Sequence, residues 1–464
     1  MAFNPKKEYE VIPDSISIRD FNDYTDEFIT RPPYQRKNVW SRKKKQALLD
    51  SLFRRYYVPK IVIREVRLNE NVTVREIIDG QQRIITAQEF LKNELKLPKS
   101  LEDIHPELPG SYYGDLSSDF RRYIDREIKY EADIVKGIED PRNTNHQRIA
   151  TEIFWRLQQG EDLNFMEKSH ARLSSLARNF IVKYSDDITF DYDKYIPIDE
   201  NKDKHKFFQI ISRYNDRMQH LSLLARILML EEEGGPTDLK DQFVVEYIER
   251  YMRDDGIGDY SFENLPHARN TISNLNSLFK VFEGDILVEQ DQSMRELSTE
   301  YVIISTYLLI RHLRKYYVFD DAEKKLFYDF FMDFYKRWKE KAEDDIDIQV
   351  FANHRQQSVA DVEIRDRVYR QLFFEFSKNN GHEIITKDER RAFSEYERIQ
   401  IYRKYDGLCQ MCLAEGKPEK EAKVLWAEYE ADHVLPHSKG GQTMLENGQV
   451  LCSYHNKKKN NKLL

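Results

Sequence analysis

The sequence predicts a helix-rich, multidomain α+β protein, and three observations carry that expectation. Its 464 residues are enough for about three domains of ordinary size. Glycine (16) and proline (14), which both interrupt helices, together make up about half their average share. All three cysteines, Cys409, Cys412 and Cys452, fall near the C-terminus, apart from a mixed α/β pattern at the N-terminus and a run of amphipathic helices between the two. The domains expected are 1–180, 181–386 and 387–464.

Each part of the chain supports that division. Ser41 is placed to cap a helix whose apolar positions Leu48, Leu49, Leu52, Phe53 and Tyr56 keep the helical period, with Pro59 as its stop. Two strands follow, 60–68 and 72–78, joined by a turn at 69–71. The second strand runs into Asp79-Gly80-Gln81-Gln82-Arg83, after which Ile84, Ala87, Phe90 and Leu91 resume a helical pattern. From 191 to 386 amphipathic helices dominate. There Phe327, Phe330, Phe331, Phe334 and Trp338 form one stripe that reads as core. The stretches 221–230 and 301–313 repeat that character. From Lys387 a charged helix opens a segment richer in glycine, asparagine, cysteine and histidine.

Composition excludes several classes. With 40% apolar and 33% charged residues the chain suits a folded protein better than a disordered one. The net charge of −8 means that nucleic-acid binding must rely on local basic patches. Pro5, Lys6, Lys7 and Glu8 stand where the apolar stretch of a signal peptide would begin, and the longest uncharged apolar stretch, 301–310, is half of what a membrane span needs. The compartment expected is therefore the cytoplasm, with no membrane partner.

Cys409-Gln-Met-Cys412 and Cys452-Ser-Tyr-His455 are two ligand pairs with matching spacing. Three thiolates and an imidazole make an ordinary tetrahedral Zn²⁺ set. Between the pairs lie Asp432-His433-Val434-Leu435-Pro436, Ser438-Lys439-Gly440-Gly441 and Asn447, and Asn456 follows the last ligand. Phosphodiester hydrolysis needs a base near neutral pH and a divalent ion. His433 suits the first task, and Asp432 with Asn456 offers oxygen donors for Mg²⁺ or Mn²⁺. Lys457, Lys458 and Lys459 form a cationic run that suits a DNA backbone, or an ordinary solvated tail.

These residues, over 402–462, resemble the HNH endonuclease signature of the ββα-metal fold. The resemblance implies that Asn447 fixes the imidazole or its surroundings. Two positions depart from the family: His455 stands where zinc-bearing relatives usually have cysteine, and Asn456 where histidine is frequent. A second register, with His455 as the third catalytic residue and three protein ligands for zinc, stays open at this point.

At the N-terminal end, a glycine turn between strand and helix lets backbone N–H groups and Arg83 approach a phosphate. A plain turn with Asp79 as cap explains the same five residues. Arg31-Pro-Pro-Tyr-Gln35-Arg36 with Trp40, the I-D-G-Q-Q-R stretch, and 153–157 through Gly160, Leu163, Asn164 and Glu167 occur in the order of the ParB/sulfiredoxin-like N-terminal domain of GmrSD-type restriction enzymes. That resemblance, over 14–168, implies binding and hydrolysis of a nucleoside triphosphate at Asp79, Gly80, Gln81, Gln82 and Arg83, with Gln35, Arg36 and Arg83 toward phosphate. Gln158 stands where relatives often have asparagine. The whole chain then reads as a nucleotide-regulated, metal-dependent DNA endonuclease of anti-phage defence, acting on phage or modified DNA, with homo-oligomerisation left open. The alternatives are a non-cleaving zinc-knuckle DNA-binding or regulatory protein and an RNase-type toxin.

Overall fold

In the N-terminal part, alternating apolar residues build one mixed sheet. The computed structural model describes residues 8–35, 40–157, 164–286, 296–341 and 344–460. Five strands, β1 (Glu10–Ser17), β2 (Phe28–Ile29), β3 (Ile61–Arg67), β4 (Thr73–Asp79) and β5 (Lys129–Lys136), are ordered β1-β5-β3-β4-β2. β3 and β4 form the hairpin expected from 60–78, and β5 lies parallel to β3. The sheet is covered on both faces. Ile61, Ile63 and Ile77 enter one core with Phe21, Leu49 and Phe90, while Val62 and Ile78 enter another with Tyr34, Ile149 and Phe154.

The helix Arg42–Phe53 is capped by Ser41, whose side chain accepts from Lys44 N. It ends earlier than Pro59 would require. Arg54 is its C-cap, Arg55 turns left-handed at φ 56°, and Tyr56 is exposed. Arg54 is tied at this end to Asp50 (3.0 Å), Asp103 (2.7 Å) and the Ser100 carbonyl, and these bonds, which lie outside any periodicity, hold the last turn.

The chain divides into two compact units, one holding residues 1–205, 214–229 and 240–269, the other 206–213, 230–239 and 270–464. The first thus continues past 180. It includes two short paired strands, β6 (Thr189–Asp191) and β7 (Ile196–Ile198). In the second, Phe327, Phe330, Phe331 and Phe334 on the helix Asp321–Glu340 are fully buried among Tyr369, Phe351 and Phe373, as a core stripe should be. Trp338, at the end of the stripe, is half-buried.

The C-terminal part of the second unit contains β8 (Tyr429–His433) and β9 (Gly448–Cys452), antiparallel, followed at once by the helix Ser453–Lys459. Phe393, Ile401, Val424, Tyr429, Val450 and Leu451 form its small core. No helix among the described residues is long and apolar enough to cross a membrane.

Candidate nuclease and metal centre

The ligand atoms of Cys409, Cys412, Cys452 and His455 all lie within 4.8 Å of one another. The His455 Nδ1 atom stands 3.3–3.4 Å from each of the three Sγ atoms. Zinc bonds of about 2.3 Å to sulfur and 2.0–2.1 Å to nitrogen, in tetrahedral array, require S···N edges of about 3.5 Å. The cluster therefore has both the donor set and the size for one Zn²⁺. Cys409 and His455 are completely enclosed, Cys412 is nearly so and Cys452 is half-buried. Of the two registers the sequence leaves open, the geometry follows the first, with His455 among the thiols.

Local folding explains this convergence. Cys409 starts the helix Gln410–Ala414, so that Cys412 is one turn on, and Cys452 is likewise the N-cap of the helix that carries His455. Glu415, which no sequence motif marks, accepts from His455 Nε2 at 3.1 Å and from Lys458 Nζ at 2.7 Å. A carboxylate on the far nitrogen fixes which imidazole nitrogen faces a metal.

His433 ends β8, opposite Gly448 of β9. Its ring is buried, packed on Phe393 at 4.6 Å between centroids, and its Nε2 is 3.0 Å from Thr443 Oγ1. Burial, with a smaller push from Lys459 and against the pull of Asp432 and Asp388, moves its pKa below the ordinary imidazole value, the direction that favours a ring able to accept a proton. The preceding residue, Asp432, receives Gln449 Nε2 on Oδ2 at 2.9 Å, and Lys459 Nζ on the same oxygen. Oδ1 accepts no hydrogen bond among the described residues and remains available to a hard cation.

Asn447 holds the loop between the strands. Its Oδ1 accepts from Leu435 N at 2.8 Å, and its Nδ2 donates to the carbonyls of Leu435 (3.1 Å) and Gln442 (2.8 Å). It acts through the loop that leaves His433. Gly441 makes this tight course possible, since a Cβ there would fall 1.8 Å from the Leu435 carbonyl oxygen. Asn456 lies half-buried on the last helix, three residues before Lys459. Lys457 and Lys458 are exposed. Lys459 is not: it is 1% exposed, with its ammonium on Asp432 and the His433 carbonyl. The surface role expected of Lys459 therefore gives way to an internal one.

In the first unit, Gln35, Asp79, Gly80, Gln81, Gln82 and Arg83 gather at the end of β4. Gly80 has φ +104°, and a Cβ on it would lie 2.3 Å from Ile61 Cδ1, so glycine is needed for conformation and for space. Arg83 Nη2 donates to Asp79 at 2.5 Å and to the Lys60 carbonyl at 3.1 Å. Gln35 Nε2 donates to the carbonyls of Ile77 and Ile78, both at 2.7 Å. Trp40 N donates to Gln82 Oε1 at 3.3 Å. Asp79 caps no helix, because Gly80 is itself the N-cap of Gln81–Leu91. Arg36, Gln158, Gly160 and Leu163 lie outside the described residues. Asn164 and Glu167 form a reciprocal capping box on the helix Phe165–His170. Below this end of the sheet Arg64 and Glu76 are fully buried and 3.5 Å apart, with Tyr34 Oη donating to Glu76 at 2.5 Å.

Residues 18–225 match the family model of the GmrSD restriction endonuclease N-terminal domain, and residues 409–462 match that of the HNH endonuclease. No curated protein and no solved structure matches the chain.

Proposed function

We propose that this chain, which joins a GmrSD-type N-terminal domain to a C-terminal HNH endonuclease domain, is a metal-dependent DNA endonuclease of the restriction type, licensed by a nucleoside triphosphate. The observation that carries the nuclease reading is the placing of a buried His433 at the end of β8, in a β8-β9-helix unit, next to a carboxylate whose Oδ2 is held by Gln449 and Lys459. His433 would take the proton of a water as its oxygen bonds to phosphorus, and the bond from phosphorus to the leaving oxygen would break. Asp432 Oδ1 and the Asn456 amide oxygen suit Mg²⁺ or Mn²⁺. A hard cation there supplies stabilisation of charge on the phosphate and leaving oxygen. Cys409, Cys412, Cys452 and His455 would hold a structural Zn²⁺ that ties the last helix to the knuckle.

The nucleotide reading rests on the Gly80 turn, at which an 11-residue helix begins beside Arg83. Phage or modified DNA as substrate, and hydrolysis of the nucleotide, belong to the same proposal. The deciding experiment is cleavage of labelled DNA with Mg²⁺, with and without each nucleoside triphosphate, against matched RNA. Loss of at least about 100-fold in rate with His433→Ala, with DNA binding kept, is expected of a general base. Unchanged turnover in that variant would place the base elsewhere, and cleavage confined to RNA would favour the toxin reading.

A further inference from the structure

The imidazole of His433 is held by a relay that begins outside the HNH motif. Thr443 Oγ1 is within hydrogen-bond distance of two groups, His433 Nε2 at 3.0 Å and the backbone carbonyl oxygen of Arg390. A carbonyl oxygen only accepts, and a hydroxyl has one proton. The Thr443 proton therefore goes to Arg390, and the bond to the imidazole can form only if Nε2 carries the proton. This leaves the lone pair on Nδ1, which accepts nothing from the described residues.

The carbonyl that fixes this tautomer belongs to the segment between the helical part of the second unit and the nuclease part. That segment is itself tied at both ends. Toward the nuclease, Asp388 Oδ2 accepts from Thr443 N at 2.6 Å, the Asp388 carbonyl lies 2.8 Å from His437 Nε2, and Arg390 Nη2 donates to the Thr443 carbonyl at 2.5 Å. Asp388 also accepts from Arg390 N at 3.0 Å, which holds the Arg390 peptide in place. Toward the helical part, Lys387 N donates to the Tyr316 carbonyl at 2.8 Å, Lys387 Nζ to the Arg314 carbonyl at 2.5 Å, and Val318 N to the Ile385 carbonyl at 2.9 Å. Arg314 and Tyr316 close the helix Glu300–Tyr316.

We infer that Thr443 and the 385–390 segment are the positioning device of the nuclease: the segment sets the orientation and tautomer of His433 through Thr443, so that a shift at the end of the helix Glu300–Tyr316 can disengage the base without disturbing the zinc cluster. This rests on His433 being the base. A hydroxyl that merely filled space would be replaceable by an isosteric methyl, and a relay would not.

The test is single-turnover cleavage of supercoiled plasmid DNA by the full chain in Mn²⁺, with the maximal rate and the half-saturating enzyme concentration measured separately. Thr443→Val is expected to lower the maximal rate about 10- to 100-fold, since a misoriented base forfeits part of its general-base contribution. Half-saturation and zinc content should stay as in the unaltered chain. Thr443→Ser, which keeps the hydroxyl, should restore most of the rate. Asp388→Ala keeps the Thr443 hydroxyl but removes the bonds that hold the Thr443 and Arg390 peptides, and should lower the rate in the same way; it carries the test if Thr443→Val fails to retain zinc. An undiminished rate in Thr443→Val or Asp388→Ala, or equal losses with valine and serine, overturns the relay. A His433→Ala protein that cuts normally overturns the base assignment itself, which the relay variants alone do not touch.

Discussion

The three lysines on the last helix are alike in the sequence and differ in the structure, and this difference can be measured. Lys457 is exposed, Lys458 pairs with Glu415, and Lys459 is enclosed against Asp432. Removing one partner of an enclosed ion pair leaves the other charge desolvated, at a cost of about 3 kcal/mol. Lys459→Met should therefore lower the unfolding midpoint of the C-terminal part and abolish cleavage. Lys457→Ala should leave stability alone, weaken DNA binding uniformly and reduce the slope of log affinity against log salt by about one, as loss of a single phosphate contact does. Denaturant unfolding and salt-dependent binding check the pair, and an unchanged midpoint for Lys459→Met would refute the internal role. The ligands Cys409, Cys412, Cys452 and His455 are legible in the sequence because each pair sits within one turn and the chemistry is particular to those residue types. Thr443, Glu415 and the inward course of Lys459 are not legible, because their partners lie 10 to 53 residues away with no period to mark them.

At the scale of elements, sequence signals specify structure where one short segment suffices. The β3-β4 hairpin and the Gly80 turn follow from alternation and a single glycine. The early stop of the helix Arg42–Phe53 does not, since it depends on Arg54 meeting Asp103. Nor does the burial of Arg64 and Glu76, which in a strand read as surface residues. The helix Leu176–Ser185 shows how such burial affects stability. It is enclosed on nearly all sides and ends at Asp186, whose carboxylate is buried and takes hydrogen bonds from Asp187 N (2.8 Å) and Asn215 Nδ2 (3.0 Å). Burial raises its pKa from 3.8 to about 6. Between those values the folded chain keeps a proton that the unfolded chain has lost. Stability accordingly falls as pH rises through that window, and the full cost stands above it. Asp186→Asn removes the charge while its amide oxygen can keep both bonds. The variant should gain on the parent chain as pH rises from 4 to 7, by up to roughly 3 kcal/mol. Thermal melts at several pH values check this, and a gap independent of pH would show that Asp186 is not the group titrating.

At the scale of the whole molecule, the cysteine-histidine cluster and the Gly80 turn lie in different compact units. All four zinc-type ligands are in the second unit, and the Asp79 to Arg83 turn is in the first. A ligand that binds only the folded form raises stability by mass action, and a metal whose site forms on folding contributes directly to it. Calorimetry of the full chain should therefore resolve more than one transition. A strong chelator, or Cys409→Ser, should lower the transition of the C-terminal part and leave the other in place. A nucleoside triphosphate at about 100 times its dissociation constant should raise the other by about 2.7 kcal/mol and leave the first unmoved. Arg83→Ala should remove the nucleotide response while zinc content stays the same, because Arg83 braces the Gly80 turn and has no part in the metal cluster. If no nucleoside triphosphate shifts any transition, the regulatory half of the proposal fails and the nuclease half stands. If a chelator and a nucleotide move one and the same transition, the two units unfold together, and coupling between the sites must then be carried by their common stability, with no discrete switch required.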